Sequence, residues 1–253
     1  MSKQSKYFGF FLLALLIVGI FVFMTHTSNT LSSKSSTVPK KTQTGQFNKS
    51  QYSTSDLSSI WVIVNKQHPL NPKTYVPSDL ITPSMVVRSK ITSDESKVSS
   101  KIAPSLERMV TDARSQGILL NLQSGYRSYQ LQISVYNNEV SSFGQSTADK
   151  ESARPGYSEH QTGLAVDLGS IPTPSCDVAQ CFGTTKEGVW LAANSYKYGF
   201  IVRYTSDNQS VTGYEVEPWH LRYVGVALST ELHDKNVTSL EQFFNVSGGT
   251  SYK

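Results

Sequence analysis

Ser158-Glu159-His160-Gln161-Thr162-Gly163-Leu164-Ala165-Val166-Asp167 is the stretch on which the reading of this chain turns. It passes from a polar loop through a glycine into a short alternating segment. On one straight strand His160 and Asp167, seven residues apart, would point to opposite faces. Gly163 removes that conflict by letting the chain bend, so that His160 sits on a loop and Asp167 on a strand, Leu164–Leu168. Leu164 and Val166 then face the core, while Ala165 and Asp167 face the other side, where the small Ala165 leaves room beside the carboxylate.

About fifty residues later comes Glu217-Pro218-Trp219-His220. Proline cannot continue a sheet ladder, so a strand is expected to end at Pro218, with Glu217 and His220 converging around a rigid Pro-Trp pair. The two segments together offer two imidazoles, one carboxylate ligand and one carboxylate left over. His160, Asp167 and His220 as ligands leave a fourth tetrahedral position open on zinc, which is the pattern of a hydrolytic rather than a structural site. Glu217 is then the natural proton acceptor for water at that position. Glu215 is a rival base, but its place on the strand body suits a cross-strand salt bridge better. A lone histidine is usually a satisfied polar residue. The coincidence decides here: two of the five histidines lie in Gly- and Trp-bearing loops with an acid at short range, and His26, His68 and His233 have no such company.

Outward from these segments the pattern gives the fold class. Ile60–Val64 reads as a short buried strand, followed by an irregular stretch punctuated by Pro69, Pro72 and Pro77. Leu106, Met109, Val110 and Ala113 follow the helical period over 104–116, closed by Gly117, and 118–123 reads as a strand. Ser128 caps a second helix bearing Ile133, Tyr136, Val140 and Phe143, closed by Gly144. Thr184–Glu187 is a capping-box pattern opening a helix through Tyr198. Phe200–Tyr204 and Tyr214–Glu217 read as neighbouring strands joined across 205–213. Helices come early and strands dominate later, so the class is α+β, a mostly antiparallel sheet with helices on one side.

The ends differ from this middle. Tyr7–Met24 is an uncharged apolar run of 18 residues behind Lys3 and Lys6. That length reaches the lower limit for crossing a bilayer, and the following residues make a poor signal-cleavage site. It reads as a retained N-terminal signal anchor (1–24), a transmembrane helix that holds the protein to the cell membrane with the rest of the chain outside. Residues 25–58 are a Ser/Thr/Lys-rich tether, 59–235 the folded domain and 236–253 a weakly patterned tail. The first fifty residues hold six of the 23 Lys+Arg and no acid, leaving 17 bases against 19 acids in the remainder. A near-neutral domain gives no support for nucleic-acid binding. Cys176 and Cys181, five apart, lack further ligands for a metal; outside the membrane they suit a small-loop disulfide, with two reduced thiols as the alternative.

At this point the chain resembles a family. SGYRS at 124–128, SEHQTGLAVD at 158–167 and EPWH at 217–220 resemble the VanY-type D-alanyl-D-alanine carboxypeptidases, of the group that includes the D-Ala-D-Ala dipeptidases and the hedgehog domain. VNKQHPL at 64–70 and YVPSDL at 75–80 are similar to the family's entry segment, and the resemblance covers about residues 58–235. It implies a hedgehog/D,D-peptidase-like fold and a zinc carboxypeptidase acting on peptidoglycan stem peptides, with zinc on His160, Asp167 and His220 and Glu217 as base. It further implies that Arg127 holds the substrate's terminal carboxylate, that Gln132 and Ser158 contact substrate, and that Tyr204 and Trp219 wall the pocket. Alone, Arg127 reads as a surface ion pair; beside a metal site, its planar fork at a strand-to-helix junction suits a carboxylate. L,D-carboxypeptidase or D,D-endopeptidase action on the same peptides, or a zinc-containing wall-binding or signalling module, are the alternatives. The cysteine-flanked insert Ser175–Gln180 departs from the family pattern.

Overall fold

The computed structural model describes residues 47–253. The expected anchor, and the tether up to residue 46, lie outside the described residues; no helix among the described residues is long and apolar enough to cross a membrane. In chain order the elements are β1 (Leu80–Ile81), β2 (Val98–Ser99), α1 (Ala103–Ser115), β3 (Leu120–Ser124), α2 (Tyr129–Phe143), α3 (Gln145–Glu151), β4 (Ala165–Ser170), α4 (Lys186–Asn194), β5 (Phe200–Tyr204), α5 (Gln209–Thr212), β6 (Glu217–Tyr223), α6 (Val226–Asp234) and α7 (Leu240–Phe244). A 3₁₀ turn, Glu159–Thr162, precedes β4.

The main sheet has the order β3-β4-β6-β5 and every pairing is antiparallel. Its two faces divide by residue type, because successive side chains alternate across the pleat. Leu122, Val166, Leu168, Phe200 and Leu221 point to one side and join Leu106 and Met109 of α1 and Leu191 of α4 in the larger core. The other face carries Ala165, Asp167, His220 and Arg222, set by the register Ala165↔Arg222 and Asp167↔His220. Helices are not confined to one side. Around a second cluster, α6 and α7 gather Trp61, Ile63 and Leu240, and Ile201 joins it from the polar face.

Several expected elements differ. Ile60–Val64 is largely buried but enters no ladder. The carbonyls of Ile60 and Val62 accept from Arg222 Nη2 at 3.1 and 2.7 Å, so a side chain takes the place of a neighbouring strand. Pro218 does not end a strand; it is the second residue of β6, which begins at Glu217 rather than ending there. The proline is tolerated because β4 pairs with β6 only from His220 onward, so no ladder donor is demanded of it on that side. The helix cap is Thr185, accepting from Gly188 N at 3.0 Å, and no capping box forms. Glu187 instead turns inward to Ser170 Oγ at 2.9 Å. The helical run also breaks at Asn194 into a 3₁₀ turn, Ser195–Tyr198. The packed chain extends past both ends of 59–235: Phe47 stacks on Trp61, and Leu240 and Phe243 of α7 are buried. Tyr252 lies edge-on to Tyr157.

One glycine ties the fold to the site. Gly125 follows β3, donates to Glu95 O at 2.7 Å, and its own carbonyl accepts from His160 Nδ1. A Cβ there would overlap Lys97 O and lie 2.9 Å from Glu95 O, both backbone atoms. Gly125→Ala is therefore expected to destabilise the chain by about 1–3 kcal/mol, the usual range for overpacking a site that cannot yield. Equilibrium denaturant unfolding measures it, and wild-type stability in the variant would show that this contact does not constrain the fold.

Candidate metal and catalytic centre

Three elements deliver the ligand set. Asp167 on β4 and His220 on β6 are register partners, so the ladder itself sets them side by side on one face. His160 comes from the 3₁₀ turn, which Gly163 closes in the left-handed region at φ 69° before the chain enters β4. The bend expected at this glycine is what carries His160 over Asp167. One donor atom from each of the three lies within 4.8 Å of the other two, and all three residues are buried.

The donor atoms stand close enough together to share one divalent ion, with each histidine facing a different oxygen of Asp167. His160 Nε2 is 3.2 Å from Asp167 Oδ2, and His220 Nδ1 is 3.2 Å from Asp167 Oδ1. Ligands at 2.0–2.1 Å from a tetrahedral centre stand roughly 3.3 Å apart. The ring nitrogens facing away are assigned by their partners. His160 Nδ1 lies 2.7 Å from Gly125 O and donates to it, which leaves the Nε2 lone pair turned toward Asp167. His220 Nε2 faces Glu159 Oε2 at 3.5 Å, and neither atom has another hydrogen-bond partner. A proton on Nε2 gives Glu159 something to accept and frees Nδ1 for the ion. Asp167 Oδ1 is also buried without a hydrogen-bond partner. Such an atom is costly unless a cation or donor meets it.

Glu159 is the residue that sequence reasoning missed. Its Oε1 accepts from Arg203 Nε at 2.9 Å and Arg222 Nη1 at 2.8 Å. Arg203 is held in turn by both oxygens of Glu241, at 2.6 and 3.0 Å. Burial alone would raise the Glu159 carboxyl; the two guanidiniums outweigh it and hold Glu159 well below the usual carboxylate range. Four buried charges thus cancel in pairs behind His220, with only Glu159 Oε2, which faces His220, left without a hydrogen-bond partner. No motif announces this, since two arginines within strands read as solvent-facing residues.

Glu217 Oε2 lies 3.5 Å from His220 Nδ1, at the open side of the ligand set. Burial pushes its carboxyl up to about 7, with the charge of Asp167 adding and His220 opposing. That suits a group which takes a proton and gives it back near neutrality. Glu215, the rival, lines an adjoining cavity instead, and the salt bridge expected of it does not form among the described residues.

Arg127 reaches the ligand set directly. Its Nη2 lies 2.7 Å from His160 Nε2 and donates to Asp167 Oδ2 at 2.9 Å, while Nε donates to Ser124 Oγ at 3.0 Å and Nη1 to Gln132 Oε1 at 3.2 Å. Its charge thus lies against the lone pairs of two candidate metal ligands. Gln132 is fully buried and stands behind Arg127, with Nε2 donating to Ala153 O at 2.8 Å; it is not on the cleft wall, because α2 turns it inward. Ser158, Tyr204 and Trp219 do line the cleft, which encloses about 430 Å³ with the ligand set and Glu217 on its wall. Cys176 and Cys181 form a disulfide.

Comparison with known proteins places this geometry. Residues 95–226 match the family model VanY, described as D-alanyl-D-alanine carboxypeptidase. The chain is 41% identical to the Bacillus subtilis protein YodJ over 74% of its own length and 67% of that protein. It is 32% identical to a D-alanyl-D-alanine carboxypeptidase of Enterococcus faecalis, over 73% and 65% of the two lengths. The chain therefore spans about two thirds of these relatives. Among solved structures, the LdcB LD-carboxypeptidase superposes with a TM-score of 0.70 at 39% identity, covering 77% of this chain and 90% of that one. A vancomycin-resistance D,D-pentapeptidase VanY in complex with Zn(II) superposes with a TM-score of 0.62 at 30% identity, covering 74% and 99%.

The orientation of His220 by Glu159 yields an expectation that needs no substrate. Glu159→Gln should weaken retention of a divalent ion by about tenfold or more, as loss of a partner behind a ligating histidine typically does. Chelator competition on the purified protein measures it. Unchanged affinity in a folded Glu159→Gln protein would show that Glu159 serves only its arginines.

Proposed function

The chain belongs to the VanY family, and on that premise we propose that it is a zinc-dependent carboxypeptidase that removes the C-terminal D-alanine from peptidoglycan stem peptides. The observation that carries this reading is the buried His160–Asp167–His220 set with Glu217 at its open side. The chemistry a zinc ion supplies when held there is polarisation of the scissile carbonyl and acidification of water.

This chain's own residues supply the rest. Glu217 takes the proton of the attacking water at a carboxylate oxygen and passes it to the departing D-alanine amine. Arg127 gives up the ligands' lone pairs to a cation, stays tethered through Ser124 and Gln132, and turns its free edge to the terminal carboxylate. Fixing that carboxylate restricts cleavage to the last peptide bond. Ser158, Tyr204 and Trp219 shape the wall around it.

A second reading stays within the same chemistry. The stronger likeness to the LdcB LD-carboxypeptidase favours tetrapeptide stems, with the L,D-bond before the last D-alanine as the one cut. Tyr7–Met24 serves in this proposal as the membrane anchor that holds the folded domain outside the cell membrane, beside its wall substrate.

Incubating the protein with penta- and tetrapeptide stems separates the readings by which one loses D-alanine. Glu217→Gln is expected to lower release by about 10²-fold or more while zinc stays bound; metal content and product are measured on one sample, and undiminished release would remove Glu217 from the base role. Arg127→Ala should raise KM for free-carboxylate stems by about tenfold or more, the loss of a charge-assisted bidentate contact. C-terminally amidated stems, turned over poorly by either protein, should show no further loss, and an equal loss on them would show that Arg127 does not read the carboxylate.

A further inference from the structure

Val178 carries two unfavourable features at one position. It is a β-branched residue in the left-handed region at φ 52°, and its side chain is 49% exposed. A surface loop with no task would hold glycine or asparagine there. The loop is nevertheless built to keep this shape. Cys176 and Cys181 close it with a disulfide. Asp177 pins it to the sheet, Oδ1 accepting from Ser170 N and Oδ2 from Gln123 Nε2, both at 2.7 Å. Gly169 is required for that anchor, because a Cβ there would overlap Gln123 Nε2 and Asp177 Oδ1. On its far side Gly183 lies against the Pro218 ring, next to Glu217, so the loop is also braced on the start of β6.

The position of Val178 supplies the task. It lines both the cleft that holds the ligand set and an adjoining cavity of about 280 Å³. Glu139, Glu151, Glu217 and Trp219 also line both cavities, whereas Arg127, His160, Asp167 and His220 line only the first. A peptide whose carboxylate is at Arg127 and whose scissile bond is at Glu217 therefore runs on past Val178 into the second cavity.

We propose that the disulfide-clamped loop presents Val178 as a specificity-determining contact for the part of the stem peptide upstream of the cleaved bond. This rests on the carboxypeptidase reading for the direction in which the peptide lies. Val178 and Trp219 are the apolar residues common to both cavities, beside Glu139, Glu151 and Glu217, and the strained backbone holds the valine methyl groups toward the peptide. The cysteine-flanked insert is the part of the rim that sets which upstream residues fit.

The test is binding rather than turnover. Zinc-loaded full chain carrying Glu217→Gln is titrated calorimetrically with stem tetrapeptide, stem pentapeptide and the dipeptide D-alanyl-D-alanine, with and without Val178→Asn. Asparagine accepts the left-handed backbone and removes the methyl groups, so the loop keeps its shape. The expected result is about a fivefold loss of affinity for the stems, the share of covering the exposed half of a valine side chain. Dipeptide affinity should not move, and the melting temperature should hold or rise as the strained backbone is relaxed. Val178→Gly, which relaxes the same backbone, should show the same split and carries the test if the asparagine variant folds poorly. Unchanged affinity for the stems, or an equal loss on the dipeptide, overturns the proposal. Failure of the parent protein to bind either stem overturns it as well, together with the substrate class. Stems that bind and show the split, with no D-alanine released by the wild type, would leave the contact standing and remove the reaction instead.

Discussion

The constraint on which the rest depends is the antiparallel register that sets Asp167 directly opposite His220. A carboxylate and an imidazole on adjacent strands, at the level of one ladder step, leave only the third ligand to be placed, and the turn closed by Gly163 places it. The register is in turn specified by the apolar face. Val166 and Leu168 on β4 and Leu221 on β6 enter the larger core, and a slip of one residue would turn every one of them outward. Core packing therefore holds the site in place without touching it.

Charge sets the second requirement. The polar face buries Asp167, Glu159 and Glu241 with Arg203 and Arg222, side chains that are hardly ever fully buried unless paired. Glu159 Oε1 is met by two guanidiniums, whereas on the side of the candidate ligands Asp167 Oδ1 keeps a free lone pair and Arg127 leans in with its guanidinium. The contrast separates a scaffold from a site. The arginine-paired carboxylate backs His220, and the lone pair left on Asp167 is where a cation gains most. Glu217 stands at the boundary, at the first residue of β6 and short of the part that β4 covers, so it is close to His220 and still open to the cleft.

The rim follows other rules. Around a site held by sheet register and buried ions, the loop from Pro174 to Thr184 is anchored by a disulfide, an aspartate and a glycine contact rather than by core packing. Loops on a rigid scaffold are where substrate choice is varied. The cysteine-flanked segment fits that division, since its Val178 lines the cleft while none of its residues belongs to the candidate ligand set.

The grouping of His160, Asp167 and His220 with Glu217 beside them, the α+β class, helices α1, α2 and α4 and strands β3, β4 and β5 were legible in the residues alone. They rest on local signals: apolar periodicity, a capping Ser128, glycine stops, and two short segments whose histidines and acids have no other economical use. What failed was non-local. Ile60–Val64 is as apolar as a strand, yet its carbonyls are taken by Arg222, some 160 residues away in sequence. Pro218 breaks a ladder in general but not at the end of β6 that β4 leaves unpaired. Gln132 stands on a helix face that turns away from the cleft, and Glu159 gains its place only when Arg203, Arg222 and His220 meet around it. The sequence by itself determined which atoms could grip a metal and take a proton, because those capacities belong to the side chains. Only the tertiary structure decided which buried charges cancel and which lone pair stays free, because that balance depends on groups brought together from distant parts of the chain.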